Sequence, residues 1–489
     1  VARYNGTVRA RPWWIFGLAI ALHNVLWASP GAAQPPITNS NYSLDLFQGP
    51  VTTASRVIGL AGAYTAIAEW CEGEYSNAAA PAVRAPYSLG KWDYDICLGF
   101  TNPGAFSGTD FENKGPGFQS LPTRFSNSVT INAGLELQYG TVGATVLYDQ
   151  IRFGLVQSVN VSQSTDSVVI NRVTASIANA FLDDQLVLGV GFRAATFELD
   201  QQVSGMDETL LSSGGASVQF GAILKPKRSP FRVGATLRTE IDVGDITGTS
   251  QVNGSQVVDG KFLPSRIIVP WEIEVGGALE LGKKPLNPSR LDTSHAEDVI
   301  RSHYDDARVE RARRHAREIA AAPEGQRDAV RRRLELEELA MERVEDKAID
   351  KELDALSDLQ KSQARLWDRR QMLLLLSVLV TGNTPNAVGI SDFLGQQDIA
   401  SGANIVLSPR LAFETEVIRD WLMVRSGTYL EPARYADSFS REHFTLGIDL
   451  RLFKFNPWGL LGDDPWRIRL AADVSARYFN YGLSLGKYH

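Results

Sequence analysis

The chain has 489 residues, of which 44% are hydrophobic, 21% are charged and 42 are glycine. Its net charge of -7 argues against a nucleic-acid binder, and past the N-terminus no apolar run reaches the roughly eighteen residues a spanning helix needs. What remains is a water-soluble sandwich or a membrane β-barrel, in which only alternate residues face lipid.

At the N-terminus, Arg3, Arg9 and Arg11 precede an apolar run from Trp13 to Ala28, and the small residues Gly31 and Ala33 follow before Gln34. This order predicts a secretory signal peptide over 1–33. A membrane anchor is the alternative, but the run is interrupted by His23 and Asn24. Export would carry the two cysteines, Cys71 and Cys97, into an oxidising compartment where a disulfide can persist. Such a bridge would add roughly 3 kcal/mol in the chain-entropy model. Two unpaired buried thiols stay open as the other reading, because sequence says nothing of their Cα approach.

The segment 34–90 is rich in small residues and precedes the first predicted strand. Period-2 alternation then predicts strands near 91–101, 127–140, 142–154, 166–180, 185–199, 215–225, 230–246 and 266–282. In Phe231–Val243, Phe231, Val233, Ala235, Leu237, Thr239, Ile241 and Val243 alternate with Arg232, Arg238, Glu240 and Asp242. In Trp271–Leu281, Ile273, Val275 and Leu279 oppose Glu272, Glu274 and Glu280.

An insertion over 283–370 differs in kind, with about twenty basic and twenty acidic residues. Pro323 and Gly325 divide it into helical stretches near 294–321 and 326–369. Along the second, Val330, Leu334, Met341, Val344, Ala348, Leu353, Leu356 and Leu359 form a loose apolar stripe. At 1.5 Å per residue it extends roughly 60 Å. It reads either as a solvated hairpin packing on itself or as an arm for a periplasmic or peptidoglycan-associated protein partner via 294–369.

Strands resume near 371–382, 403–417, 420–429, 442–455, 466–476 and 477–488. Leu446, Ile448 and Leu450 oppose Asp449 and Arg451, and Ile468, Leu470 and Val474 oppose Arg467, Arg469 and Asp473. The count is about fourteen. Short turns at Asp183-Asp184, Lys227–Pro230 and Arg419-Asp420 alternate with long polar loops at 102–127, 201–214, 247–265, 382–402 and 429–441. Short periplasmic turns and long outer loops are the signature of an outer-membrane barrel, and a lipid-facing sheet has to close. The expected fold is therefore an all-β transmembrane antiparallel barrel: first part 91–282 (eight strands), second part 371–489 (six strands). Even strand parity puts the insertion on the periplasmic side. The final strand presents Phe479, Tyr481, Leu483 and Leu485 on one face and ends at Tyr488-His489, which resembles an outer-membrane assembly signal.

The stretch from Arg56-Val57-Ile58-Gly59-Leu60-Ala61-Gly62-Ala63-Tyr64 to Glu69 leads to Tyr75-Ser76-Asn77 and, after three alanines, Pro81-Ala82. It resembles the N-terminal hatch of the FadL-type family of long-chain fatty acid transporters and their PorV-type relatives. The three alanines between Asn77 and Pro81 depart from the family's Asn-Pro-Ala. Trp421–Tyr429 and Phe444–Leu450 also look like that family's penultimate strands. The resemblance implies a plug over 34–90 with Gly59, Gly62, Tyr64 and Asn77 as positioning residues. It further implies a hydrophobic small-molecule ligand that enters from outside and leaves sideways through the wall into outer-membrane lipid. The PorV-type relatives imply instead an accessory barrel that scaffolds an export complex.

Catalytic motifs fail on context. Gly482-Leu483-Ser484-Leu485-Gly486 has the nucleophile-elbow pattern without a following helix, and Gly189–Ala194 runs on as a strand. The six histidines show no zinc spacing, so no enzyme, metal or cofactor is expected. The mixed signs of the predicted lumen charges, Arg232, Arg238, Glu240, Asp242, Glu272, Glu274, Asp449, Arg451, Arg467, Arg469 and Asp473, favour internal ion-pair ladders over a selectivity ring.

Overall fold

The computed structural model describes residues 35–487 apart from 86–87, 89–90, 104–108, 116–127, 160–161, 204–205, 245, 247–249, 283–285, 289–293, 366–371, 420, 437, 455 and 457–464. The predicted signal peptide and the terminal Tyr488-His489 lie outside the described residues.

Fourteen antiparallel strands close into a barrel. In chain order they are β1 (Trp92–Asn102), β2 (Ser128–Tyr139), β3 (Val142–Val159), β4 (Ser162–Phe181), β5 (Leu186–Val203), β6 (Met206–Leu224), β7 (Phe231–Arg238) and β8 (Glu272–Glu280). After the insertion come β9 (Met372–Thr381), β10 (Val406–Ile418), β11 (Leu422–Glu431), β12 (Arg441–Lys454), β13 (Pro465–Ser475) and β14 (Tyr478–Lys487). Pairing of Cys97–Asn102 with Tyr481–Gly486 seals the ring.

The alternation places apolar side chains outside and polar ones inside, the reverse of a soluble protein. Leu135, Leu137, Ile177, Phe192, Val275, Leu376, Leu446 and Leu470 are exposed, whereas Glu136, Gln138, Ser176, Glu274, Arg425, Asp449 and Arg469 are buried. An apolar exterior on a closed, even-stranded antiparallel barrel is the solution for a lipid solvent, where an open edge would strand backbone donors and acceptors. Among the described residues, no helix is long and apolar enough to cross a membrane. The protein is a bacterial outer-membrane β-barrel.

One end carries the short connections Gly140-Thr141, 182–185 and 225–230, together with the start of β1 and the end of β14. Parity makes this the periplasmic end. At the other end the loops fold into a cap. A five-stranded sheet runs Ala400–Ser401, Ala387–Val388, Ser43–Asp45, Arg266–Val269 and Ile241–Asp242, with Ser43–Asp45 parallel to both neighbours. Leu44, Leu263, Ile267 and Phe393 of the cap pack against Ile170, Phe197 and Leu199 from the long strands β4 and β5.

Several expectations are corrected. Residues 201–214 form no long loop; β5 and β6 continue to Val203 and from Met206 and pair throughout. The seventh strand leaves the barrel at Arg238, not 246, and the eighth begins at Glu272, not 266. Between them Ile241 is buried against the lumen cavity and Val243 packs into the cap core, so Asp242 faces outward and is exposed, with Glu240 partly so. Both pair with Arg266, and neither is a lumen charge. The physical reason is that the cap sheet captures Ile241–Asp242 through pairing with Ile268 and Val269, which reverses the facing that simple alternation assigns.

The insertion forms helices α3 (Ser294–Ala321) and α4 (Arg327–Arg365), which pack against each other as a hairpin at the periplasmic end, between β8 and β9. Leu334 and Ile349 of α4 are buried, but Met341, Val344 and Leu359 of the predicted stripe are exposed. The seam is instead largely ionic. Arg311 clasps Glu345 at 2.7 Å, and Arg308 reaches Glu345 and Asp346.

Candidate functional site: a plugged lumen with two cavities

The N-terminal segment enters at the cap, descends through the lumen and leaves at the periplasmic end, where the Arg84 side chain donates to the Gly140 carbonyl at 3.1 Å. Its helical part is shorter than predicted: α1 covers Ser55–Gly59, and α2 covers Trp70–Gly73. Ala61 and Gly62 take positive φ, which ends the first helix and coils the chain through 60–67.

The hatch seats directly on the wall because the wall offers glycines. A Cβ on Gly189 would lie 2.0 Å from the Ala78 carbonyl oxygen, and one on Gly143 only 1.8 Å from that of Pro81. Gly59 itself faces Gly447 of β12, with 3.0 Å between its Cβ position and that Cα. The Gly62 carbonyl accepts from Arg410 at 3.1 Å. Tyr64 is fully buried, and its hydroxyl accepts from Arg56 at 3.0 Å. Asn77 donates to the carbonyls of Thr65 (3.1 Å), Ala222 (3.1 Å) and Ala235 (3.2 Å), and its Oδ1 accepts from the Ala79 amide at 3.0 Å. Cys71 of α2 is joined by a disulfide to Cys97 of β1, tying plug to wall.

Ion pairs complete the seat. Arg425 holds Glu414 and Asp449, Arg469 bridges Asp449 to Glu72 of the hatch, and Arg56 reaches Glu69 at 2.9 Å. Arg232 donates to Asn287 and to the Leu286 carbonyl at the root of the helical hairpin. Arg238 pairs with Glu272 at 3.0 Å and Glu274 with Arg410 at 3.4 Å. Arg467 is buried and Arg451 half-buried. Near the outer rim His443 lies between Asp473 (2.8 Å) and Glu431 (2.7 Å) and stacks on Tyr429. Ser484 of the rejected elbow pattern is buried in β14 near Glu72.

Two cavities meet across the strap Phe47–Thr52. On the cap side lies an apolar pocket of about 60 Å³, lined by Phe47, Phe111, Phe153, Ile390, Leu394 and Tyr478. On the hatch side lies a polar cavity of about 150 Å³. Both are lined by Phe47, Gln48, Pro50 and Thr52. The strap is fastened by the Val51 amide, which donates to the Tyr429 hydroxyl at 3.1 Å. That hydroxyl in turn donates to Asp473 at 2.6 Å. The polar cavity includes Asp149, which accepts from Tyr75 with Arg172 at 3.8 Å. It also includes Glu74, which accepts from Ser176 and Gln219. The remaining charged lining is the Arg238–Glu272 and Arg410–Glu274 pairs, and Arg193.

Next to this cavity the wall has a seam. β6 pairs with β7 only over Gln219–Leu224 and Val233–Arg238. Beyond it, the Thr239 amide donates to the Val218 carbonyl at 3.0 Å, and the upper half of β6 then touches the cap strand Ile241–Asp242 at Gly215.

Sequence patterning does not single out the strap or the aromatic pocket, and the predicted lumen charges omit Arg193. A signal for Arg193 exists, since it alternates with outward Phe192 in β5. The pocket has none, because it draws Phe111 from a turn and Ile390 from a six-residue helix, both too short to show periodicity.

No family model matches the chain, and no curated protein matches it. Solved structures with a related fold include a FadL homologue of Pseudomonas aeruginosa, at TM-score 0.47 and 10% identity over 89% of this chain and 98% of that one. The CymD monoaromatic hydrocarbon channel gives 0.45 and 10% over 89% and 96%. The toluene transporter TodX of Pseudomonas putida gives 0.43 and 9% over 92% and 98%.

Proposed function

We propose that this barrel is a plugged channel for passive uptake of hydrophobic small molecules across the outer membrane. The observation that carries the reading is the apolar pocket under the cap, separated by a single strap from a lumen cavity that abuts the β6–β7 seam. A solute captured among Phe111, Phe153 and Leu394 would pass the strap, enter the cavity and leave sideways where β6 and β7 part. The hatch below then bars straight passage, so the route ends in lipid and not in the periplasm. The chemistry is positioning and exclusion, with no bond made or broken.

The test is accumulation of radiolabelled naphthalene by a Gram-negative host expressing the protein, against the empty vector. A faster initial rate is expected, and Gln48→Trp, which puts an indole between the two cavities, should remove the excess. Equal rates with and without the protein would sink the proposal.

The helical hairpin supports a second reading, an accessory barrel that scaffolds an envelope complex. Leu336, Leu339 and Val344 stand exposed on α4, an arrangement a solvated hairpin does not need. Deleting about 285–368 separates the two readings: uptake should survive the deletion, and a scaffold would lose its partner.

A further inference from the structure

The helical hairpin divides its charge along its length. Residues 313–333, which form the tip, carry seven arginines against three carboxylates, whereas the body, 294–312 and 334–365, carries eight basic and fifteen acidic residues. The body spends its arginines on the seam, as Arg308 and Arg311 do on Glu345. At the tip, Arg313 pairs with Glu310, and Arg333 with Glu318 and Glu337. Arg314, Arg317, Arg331 and Arg332 are exposed, and among the described residues they make no ion pair.

Folding does not call for this arrangement. Arg327, Arg331, Arg332 and Arg333 lie in the first two turns of α4, where the positive end of the helix dipole disfavours cations. The crowded arginines also repel one another. A cluster that opposes its own helix and leaves four cations out of the seam is suited to an external partner.

The chemistry of that partner follows from the charge division. A cationic tip on an anionic body attracts a polyanion end-on and repels it from the sides. Screening confines each field to roughly 8 Å at physiological salt, and α3 alone is about 42 Å long, so tip and root act separately. A lipid surface fits poorly, because helices that lie on one carry Trp, Phe or Leu opposite their basic face. The tip has none of these, and its larger apolar residues, Ile319 and Val330, are half-buried.

We infer that the hairpin tip docks on an anionic polymer, the carboxylate-bearing peptidoglycan of the cell wall, and so tethers the barrel to it. Guanidinium forks match carboxylates two bonds at a time, and weak pairs gain strength together along a repeating polymer. The inference goes beyond the transport reading and needs only the periplasmic placement of the hairpin.

The experiment is co-sedimentation of the full-length protein, in detergent, with purified peptidoglycan sacculi. Binding is expected at low salt and should fall as salt rises. Sacculi whose carboxyls have been amidated should bind roughly tenfold less, and so should the protein carrying Arg314→Glu, Arg317→Glu, Arg331→Glu and Arg332→Glu together, since each exposed pair contributes up to about fivefold. Lys347→Glu with Lys351→Glu, a charge reversal on the body, should bind as the wild type does. No binding, undiminished binding to amidated sacculi, an unchanged four-site variant, an equal loss in the lysine variant, or binding to phosphatidylglycerol vesicles in place of sacculi would each overturn the inference. If the four-site variant loses helical circular dichroism, Arg314→Gln with Arg332→Gln decides by the same comparison, with a smaller loss expected. Naphthalene uptake should be unchanged in the four-site variant, so the tether and the channel fail separately.

Discussion

Asn77 of the hatch and Gly221 of β6 share one volume: a Cβ on Gly221 would lie 2.1 Å from the Asn77 Oδ1. The side chain thus reaches through the place where a wall residue would stand, and hydrogen-bonds carbonyls of β6 and β7 from within.

Asn77→Ala removes the two amide N–H donors that the three carbonyls share, and leaves carbonyls under the hatch short of a partner. At about 1 kcal/mol per N–H donor, the hatch should loosen by about 2 kcal/mol while the wall persists. Single-channel recordings should show openings to small ions that the wild type lacks. A closed, silent channel in the variant would count against the hatch as the seal.

The Cys71–Cys97 bridge closes a loop with a sequence separation of 26, for which the chain-entropy model gives about 3.5 kcal/mol. Reduction should expose the hatch to protease at residues 56–83 with no loss of barrel migration. Identical digestion before and after reduction would show that the ion pairs and Asn77 suffice.

The strap can be loosened at one point. Tyr429→Phe deletes the hydroxyl that accepts from the Val51 amide and donates to Asp473. One neutral hydrogen bond corresponds to about a fivefold population shift, so naphthalene uptake should rise by about that factor. A fall in uptake would mean that the strap forms the binding site and does not bar the route.

The helical hairpin should be acid-sensitive. Hydrogen bonds from Arg311, and then from Arg308, hold the Glu345 carboxyl below its usual range. A depressed carboxylate contributes its stability above the unfolded value of roughly 4.3, and that contribution is lost as pH falls through the lower folded value. Amide exchange in 327–365 should therefore quicken below about pH 4, and Glu345→Gln should exchange faster at neutral pH and lose the dependence. An acid response unchanged in Glu345→Gln would assign it elsewhere.

The strand number, the inside-out polarity and the charged hairpin's place between the eighth and ninth strands are all legible in the amino-acid pattern, since a bilayer imposes period-2 alternation on every strand that crosses it. Arg238, Glu272, Glu274, Asp449 and Arg469 read as interior for the same reason. The same rule misplaces Glu240 and Asp242, because alternation is local and cannot register that a neighbouring sheet has captured a strand.

The barrel is thus written into the chain residue by residue, because each strand's two faces meet two different solvents and the side chains record which. The hatch and the strap depend on the closed fold. The hatch seats where wall glycines happen to face it, and the strap sits where Tyr429 can hold Val51. Those are relations among residues far apart in the chain, as Val51 and Tyr429 are with a separation of 378. No local pattern constrains such a pair; closure of the ring brings them within reach.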